Sequence, residues 1–162
     1  MGENLGRIRI ERLGSRGQAE ECAERMAGSE PWITLRRGYG ESLAILTDPS
    51  REVYLALDGE ETAGFLVLEM GGAFKGYVKS ICVAPAYRGR GVGARLMAFT
   101  ESRVFRETPN VFLCVSDFNE AARRFYEGLG YEEVGTLRDY IVRGHSEILM
   151  RKTIGSLAEF KF

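Results

Sequence analysis

Residues 81–97 read ICVAPAYRGRGVGARLM, and no other stretch limits the possible folds as much. An apolar run ends at Pro85, Gly89, Gly91 and Gly93 alternate with Arg88, Arg90 and Val92, and residues with helical spacing follow. The first amides of a helix have no partners inside it, and the helix dipole adds partial positive charge there. A strand that passes through a basic glycine loop into a helix therefore makes a phosphate cradle. The glycines let backbone approach an anion closely, and Arg88 and Arg90 add bonds to its oxygens. A surface turn with solvated arginines is the plainer reading, but strand, loop and helix together favour phosphate.

The common phosphate loops fit poorly. A triphosphatase loop needs Gly-Lys followed by Ser or Thr, and none is present. Gly89, Gly91 and Ala94 match GxGxxA, with Asp117 ending the next strand, yet APAYR separates the preceding strand from the first glycine. A dinucleotide-binding protein stays as a minor alternative. Charge narrows the guest further: 22 basic against 23 acidic residues give a net charge of -1, which argues against a nucleic-acid partner. Cys22, Cys82 and Cys114 form no CxxC pair, and His145 is the only histidine, so neither a disulfide framework nor a metal site is expected. No signal-peptide pattern opens the chain and no apolar run is long enough to span a bilayer, so the expectation is a soluble, cytoplasmic protein without a membrane partner. The length of 162 residues suits one domain over 1–162, with a core over about 7–153 and a tail at 154–162.

Hydrophobic periodicity supplies the elements. RIRIERL reads as a strand, and QAEECAERMA places Ala19, Cys22, Ala23 and Met26 on one helical face with Ser15 as cap. Pro31 is expected to open a second helix with Trp32, Leu35, Tyr39, Leu43 and Leu46 on one face. EVYLAL and TAGFLVLEM form a hairpin, and GYVKSICV reads as a strand. GVGARLMAFTESRVF reads as a helix, VFLCVS as a strand, and NEAARRFYEGLG as a short helix capped by Asn119. YEEVGTLRDYIV and SEILMRKT are two last strands turning at RGH. The order β-α-α-β-β-β-α-β-α-β-β describes an α/β chain with one mixed sheet.

Two blocks in this pattern resemble the GNAT N-acetyltransferases. Arg88, Gly91 and Gly93 match the family's [QR]-x-x-G-x-[GA] acetyl-CoA loop, and Asn119, Ala122, Phe125, Tyr126, Gly130 and Tyr131 match its N-x-x-A-x-x-[FL]-Y-x-x-x-G-[FY] block. The resemblance implies a GNAT fold, with a mixed, mostly antiparallel sheet of about seven strands flanked by about four helices. It implies acetyl-CoA as cosubstrate, with pantetheine along the backbone of Ile81, Cys82 and Val83 and the pyrophosphate on Arg88, Gly89, Arg90, Gly91, Val92 and Gly93. Asn119 would bond the pantetheine arm, although an N-cap role is equally natural, and Tyr126 would act as general acid toward the departing thiolate.

The implied reaction is acetyl transfer to a primary amine, on a protein N-terminus or a small molecule. The glutamates that serve as base in two branches of the family are replaced here by Tyr77 and Cys114. Cys114 reads as a buried filler, so direct transfer from thioester to amine is the expected mechanism. An α-amino group, with pKa of about 7.8, needs less help than lysine at about 10.4, which tilts the acceptor toward a peptide N-terminus or a weakly basic amine. Water chains or a distant carboxylate could also carry the acceptor's proton, and Glu69 and Glu147 are the candidates, although each reads more readily as an ordinary surface or ion-paired charge than as a base. Trp32, Tyr39, Glu69 and Tyr140 are the candidates for the acceptor groove. The hairpin around Tyr140 and Met150 partly resembles that of the N-terminal acetyltransferases, with Ile141 in place of a second tyrosine. A non-catalytic acyl-CoA sensor is the alternative from another class, and a homodimer stays open.

Overall fold

Along residues 51–58, Val53, Leu55 and Leu57 pack into one apolar cluster while Tyr54 and Ala56 pack into another, as expected for a strand covered on both faces. The structure, a computed structural model, describes residues 5–161. Its elements run β1 (Ile8–Arg12), α1 (Arg16–Ala27), α2 (Tyr39–Thr47), β2 (Arg51–Asp58), β3 (Glu61–Glu69), β4 (Tyr77–Val83), α3 (Val92–Val104), β5 (Asn110–Ser116), α4 (Glu120–Gly128), β6 (Glu132–Leu137) and β7 (Glu147–Thr153). This is the order predicted from periodicity. The strands lie as β1-β2-β3-β4-β5-β7-β6, antiparallel throughout except for the parallel pair β4 and β5.

Helices α1 and α2 cover one face, where Ala19, Cys22, Met26 and Leu46 meet Leu55, Phe65 and Val67. On the other face α3 and α4 lay Leu96, Met97 and Tyr126 over Leu66, Leu68, Val78 and Leu113. Helix α1 starts at a capping box: the Ser15 hydroxyl accepts from Gln18 N at 3.2 Å, and Gln18 Oε1 accepts in return from Ser15 N at 3.2 Å.

Two expected elements are corrected. The helix predicted from Pro31 begins only at Tyr39, and residues 31–36 form turns. Arg36 has φ 57, which ends any helical run there, and extended Gly38 restarts the chain as the N-cap of α2. Trp32 and Leu35 are buried all the same, while Tyr39 is exposed at the first position of α2. The strand expected over YEEVGTLRDYIV stops at Leu137, and the connection to β7 is a loop over 138–146 rather than a tight turn at RGH. Asp139 takes φ 52 and accepts from Gly144 N at 2.7 Å, closing that loop on itself. Asp117 pins its far end, accepting from Ser146 N at 2.8 Å.

Gly76 sets the junction of β4 with β5. Its φ is 90, its carbonyl accepts from Phe112 N at 3.0 Å, and a Cβ there would lie 2.5 Å from the Asn110 carbonyl oxygen and 2.7 Å from Val104 Cγ1. Gly76→Ala therefore combines backbone strain with a clash against main chain and should cost about 3 kcal/mol of stability. Urea unfolding of the two proteins checks this, and a midpoint left unchanged would show that the junction yields without cost.

Candidate active site

The parallel pair β4 and β5 stays together for only two registers, Tyr77 with Phe112 and Val78 with Leu113. Beyond these, residues 79–83 and 114–116 diverge, because β4 carries a bulge. Val67 pairs with Ser80 and the next residue, Leu68, with Val78, so Lys79 is the extra residue. A bulge bends its strand and sharpens the local twist, which opens a V between β4 and β5. The main-chain groups of Ile81, Cys82 and Val83 on the open side have no sheet neighbour there and can take an extended, amide-bearing ligand as an added strand. A groove of about 2150 Å³ runs through this V from the phosphate loop to the segment before α2.

At one end of the groove, Pro85–Tyr87 form a single turn, and Gly89 and Gly91 follow with φ of 73 and 83. Gly91 is the N-cap of α3, and no side chain caps that helix, so its first amides are free to meet an anion. Arg88, Gly89, Gly91, Val92 and Gly93 line the groove. Arg88 is exposed, with its Nε donating to the Val83 carbonyl at 3.3 Å. Arg90 does not line the groove; its guanidinium stacks on the Tyr87 ring, 5.6 Å from the centroid. The cradle fits a pyrophosphate, and the open edge of β4 fits the amide arm of pantetheine.

Asn119 caps α4, its side chain accepting from Ala122 N at 3.2 Å, which leaves the amide nitrogen to serve another acceptor in the groove. Tyr126 is 6% exposed and lines the groove from the α4 side. Its ring is held edge-on by Phe125 and Tyr131, at centroid distances of 5.1 and 5.9 Å. Among the described residues no group hydrogen-bonds to its hydroxyl. Burial alone pushes its pKa above the ordinary tyrosine value, so the phenol is protonated throughout the neutral range.

The other face of the sheet supplies the acceptor side. Trp32, Glu69 and Tyr140 line the groove as expected, whereas Tyr39 does not. Glu69 is held in an ion pair with Arg51 at 2.8 Å. Tyr140 is 62% exposed on the 138–146 loop. Cys114 is half-buried, and burial is the main cause that raises its pKa, so it is a neutral thiol rather than a nucleophile.

Three further residues carry weight here, of which Lys79 and Arg37 were missed from the sequence. Glu147, a candidate carboxylate that was equally readable as a surface or paired charge, is 4% exposed and accepts a hydrogen bond from the Ser116 hydroxyl at 2.6 Å. Lys79, the bulge residue, is partly buried, which lowers its pKa. Arg37 acts on the charges of both. Neither Arg37 nor Lys79 forms an ion pair with a carboxylate among the described residues. No local pattern marks any of the three, because each depends on neighbours distant in the chain.

Comparison with known proteins agrees with this geometry. The family model described as Acetyltransferase (GNAT) family matches residues 19–131. The chain is 32% identical over 149 residues to N-alpha-acetyltransferase RimI of Mycobacterium tuberculosis, covering 87% of this chain and 90% of that protein. Among solved structures, the ribosomal-protein-S18-alanine N-acetyltransferase of Escherichia coli superposes with a TM-score of 0.74 at 20% identity, over 96% of this chain and 99% of the other. An aminoglycoside 6'-N-acetyltransferase complexed with coenzyme A gives a TM-score of 0.74 at 21% identity, over 91% and 98%. Both structural likenesses speak to the fold alone.

Proposed function

Since the chain belongs to the GNAT acetyltransferase family and is an acetyl-CoA-dependent N-acetyltransferase, we propose that it acetylates a single primary amine of the peptide N-terminal kind, with Tyr126 as the acid that protonates the departing sulfur. The observation that carries this reading is the Tyr126 side chain, packed into the core while its protonated hydroxyl, without a protein partner among the described residues, opens on the wall of the V between β4 and β5. A phenol donor that faces a groove without a protein partner is available to a ligand atom.

Acetyl-CoA supplies an activated acyl group, and the chain's own residues do the rest. Arg88, Gly89, Gly91 and the first amides of α3 hold the pyrophosphate. The backbone of Ile81, Cys82 and Val83 and the side chain of Asn119 hold the arm, so the thioester is delivered to the V. Tyr126 then donates its proton to sulfur, where negative charge grows as the C–S bond breaks. The raised pKa of Cys114 argues against an acyl-enzyme, which supports direct transfer.

Two features support a singly charged acceptor. Arg37 and Lys79 stand on the acceptor side without ion-pair partners among the described residues, and they repel a polycation. The N-alpha-acetyltransferase name of the mycobacterial relative points the same way.

The test is release of free thiol from acetyl-CoA in the presence of three acceptors: short peptides with a free α-amine, the same peptides N-blocked but carrying lysine, and kanamycin. Thiol release is expected with the first. Release only with kanamycin would replace the peptide reading by a small-molecule one. Binding of acetyl-CoA with no release on any amine would leave the sensor reading in possession.

A further inference from the structure

We infer that Glu147 is the proton acceptor for the incoming amine, standing in for the glutamates that this chain lacks at Tyr77 and Cys114. The inference rests on the acetyltransferase reading and adds the residue that the reading leaves unassigned.

The placement comes from the sheet. Glu147 is the first residue of β7 and lies directly across the ladder from Ser116, so the two share a face with Cys114. Tyr77 pairs with Phe112, which puts it on that face too. Tyr126 packs instead with Leu113, Val115 and Ile148, which alternate to the opposite face. Acid and carboxylate thus approach the V from its two sides, Tyr126 from below α4 and Glu147 from the side of residues 31–37, and both line the same groove.

A carboxylate so buried normally carries an ion pair or several hydrogen bonds. Glu147 has one bond, from the Ser116 hydroxyl to Oε1, and no ion pair among the described residues, which leaves Oε2 for a ligand. The groups around it have been set against each other. Arg37, from the turns before α2, and His145, from the 138–146 loop, favour its charge; Asp117, at the end of β5, opposes it. Ser116 favours the charge, but burial is the largest influence and raises the pKa above the ordinary carboxylate value. Tyr77, Lys79, Cys114 and Tyr140 line the same groove, and Tyr77 and Lys79 act on the charge of Cys114. The Ser116 hydroxyl and, after it, Arg37 offset part of the effect of burial on the Glu147 carboxyl.

The proton balance closes without a further reactant. The acceptor ammonium gives one proton to Glu147, and the neutral amine attacks the thioester carbonyl. As the C–N bond forms and the C–S bond breaks, Tyr126 protonates the sulfur and is itself restored by the second proton leaving nitrogen. Glu147 returns its proton to solvent. The sum is an ammonium and acetyl-CoA giving an N-acetyl amide, free CoA and one proton.

Glu147→Gln keeps shape and the bond from Ser116 but cannot take a proton. With an alanine-initiated peptide as acceptor it should lower kcat/KM at least tenfold near pH 7, with the deficit shrinking as pH rises past the acceptor's own pKa. Ser116→Ala removes a donor that favours the charged carboxyl, so the acid limb of the wild-type pH profile should move to higher pH. A second readout needs no turnover. A group whose pKa is raised by folding contributes stability at low pH and loses it as pH climbs through the folded value, so the melting temperature of Glu147→Gln should gain on wild type from the ordinary carboxylate range upward. Wild-type turnover with an unchanged rate and pH limb in Glu147→Gln would overturn the inference and leave the enzyme reading intact. Absence of wild-type turnover on every amine overturns the reading itself, and this inference with it. A melting difference that does not vary with pH also counts against Glu147, since the carboxyl would then not titrate differently in the fold.

Discussion

Tyr126→Phe is expected to lower kcat about 10²-fold while leaving acetyl-CoA binding and folding nearly unchanged. The ring would keep its edge contacts with Phe125 and Tyr131, and no hydrogen bond within the described residues would be lost, so the native state has little reason to respond. What disappears is the hydroxyl that Tyr126 presents to the V. Burial holds the phenol's pKa above its ordinary value, so the wild-type group is protonated at every pH where the enzyme would be assayed. The interaction strengthens only as charge develops on sulfur, which places the loss in kcat more than in KM. Steady-state comparison with the acceptor found by thiol release measures it, provided chemistry limits the rate. Equal kcat values would falsify the acid role and reduce Tyr126 to packing.

Gly91→Asp should abolish acetyl-CoA binding. Ligand that binds only the native state stabilises it by about 2.7 kcal/mol at a hundredfold excess over Kd. In a chain of this size that shifts melting by roughly 5–10 °C. Gly91 has φ 83 at the N-cap of α3, and its own helix has no side-chain cap. An aspartate there turns its carboxylate onto the free amides that the pyrophosphate needs, and it repels the phosphates as well. Among side chains, aspartate tolerates the left-handed region better than most, and it also caps the helix, so the substituted protein should still fold. Melting curves with and without acetyl-CoA separate the two effects. A ligand-induced shift that survives the substitution would move the cofactor site off this loop.

Local patterns were enough for much of this protein. The short apolar runs EVYLAL and TAGFLVLEM, separated by the turn residues DGEE, marked a hairpin, because a β-branched, apolar composition acts over a few residues. The Arg88 to Gly93 loop, the Asn119 cap and Tyr126 were legible for the same reason: each is a short stretch whose backbone needs are met within itself, followed by a helix whose start is written locally. Tertiary structure decided the rest. Pro31 and the apolar spacing after it suggested one helix, but Arg36 and Gly38 break the segment, and Trp32 is buried by packing on the sheet rather than by helical register. The V depends on Lys79 being left over between pairings of β3 with β4, a count that only the assembled ladder defines. Glu147 was a candidate carboxylate in the sequence, but no local pattern separated it from an ordinary surface or paired charge. Ser116 meets it across the ladder, a loop pinned by Asp117 precedes it, and Arg37 acts on its charge from the far side of the chain, while desolvation is a property of the whole surroundings that no stretch of residues carries by itself.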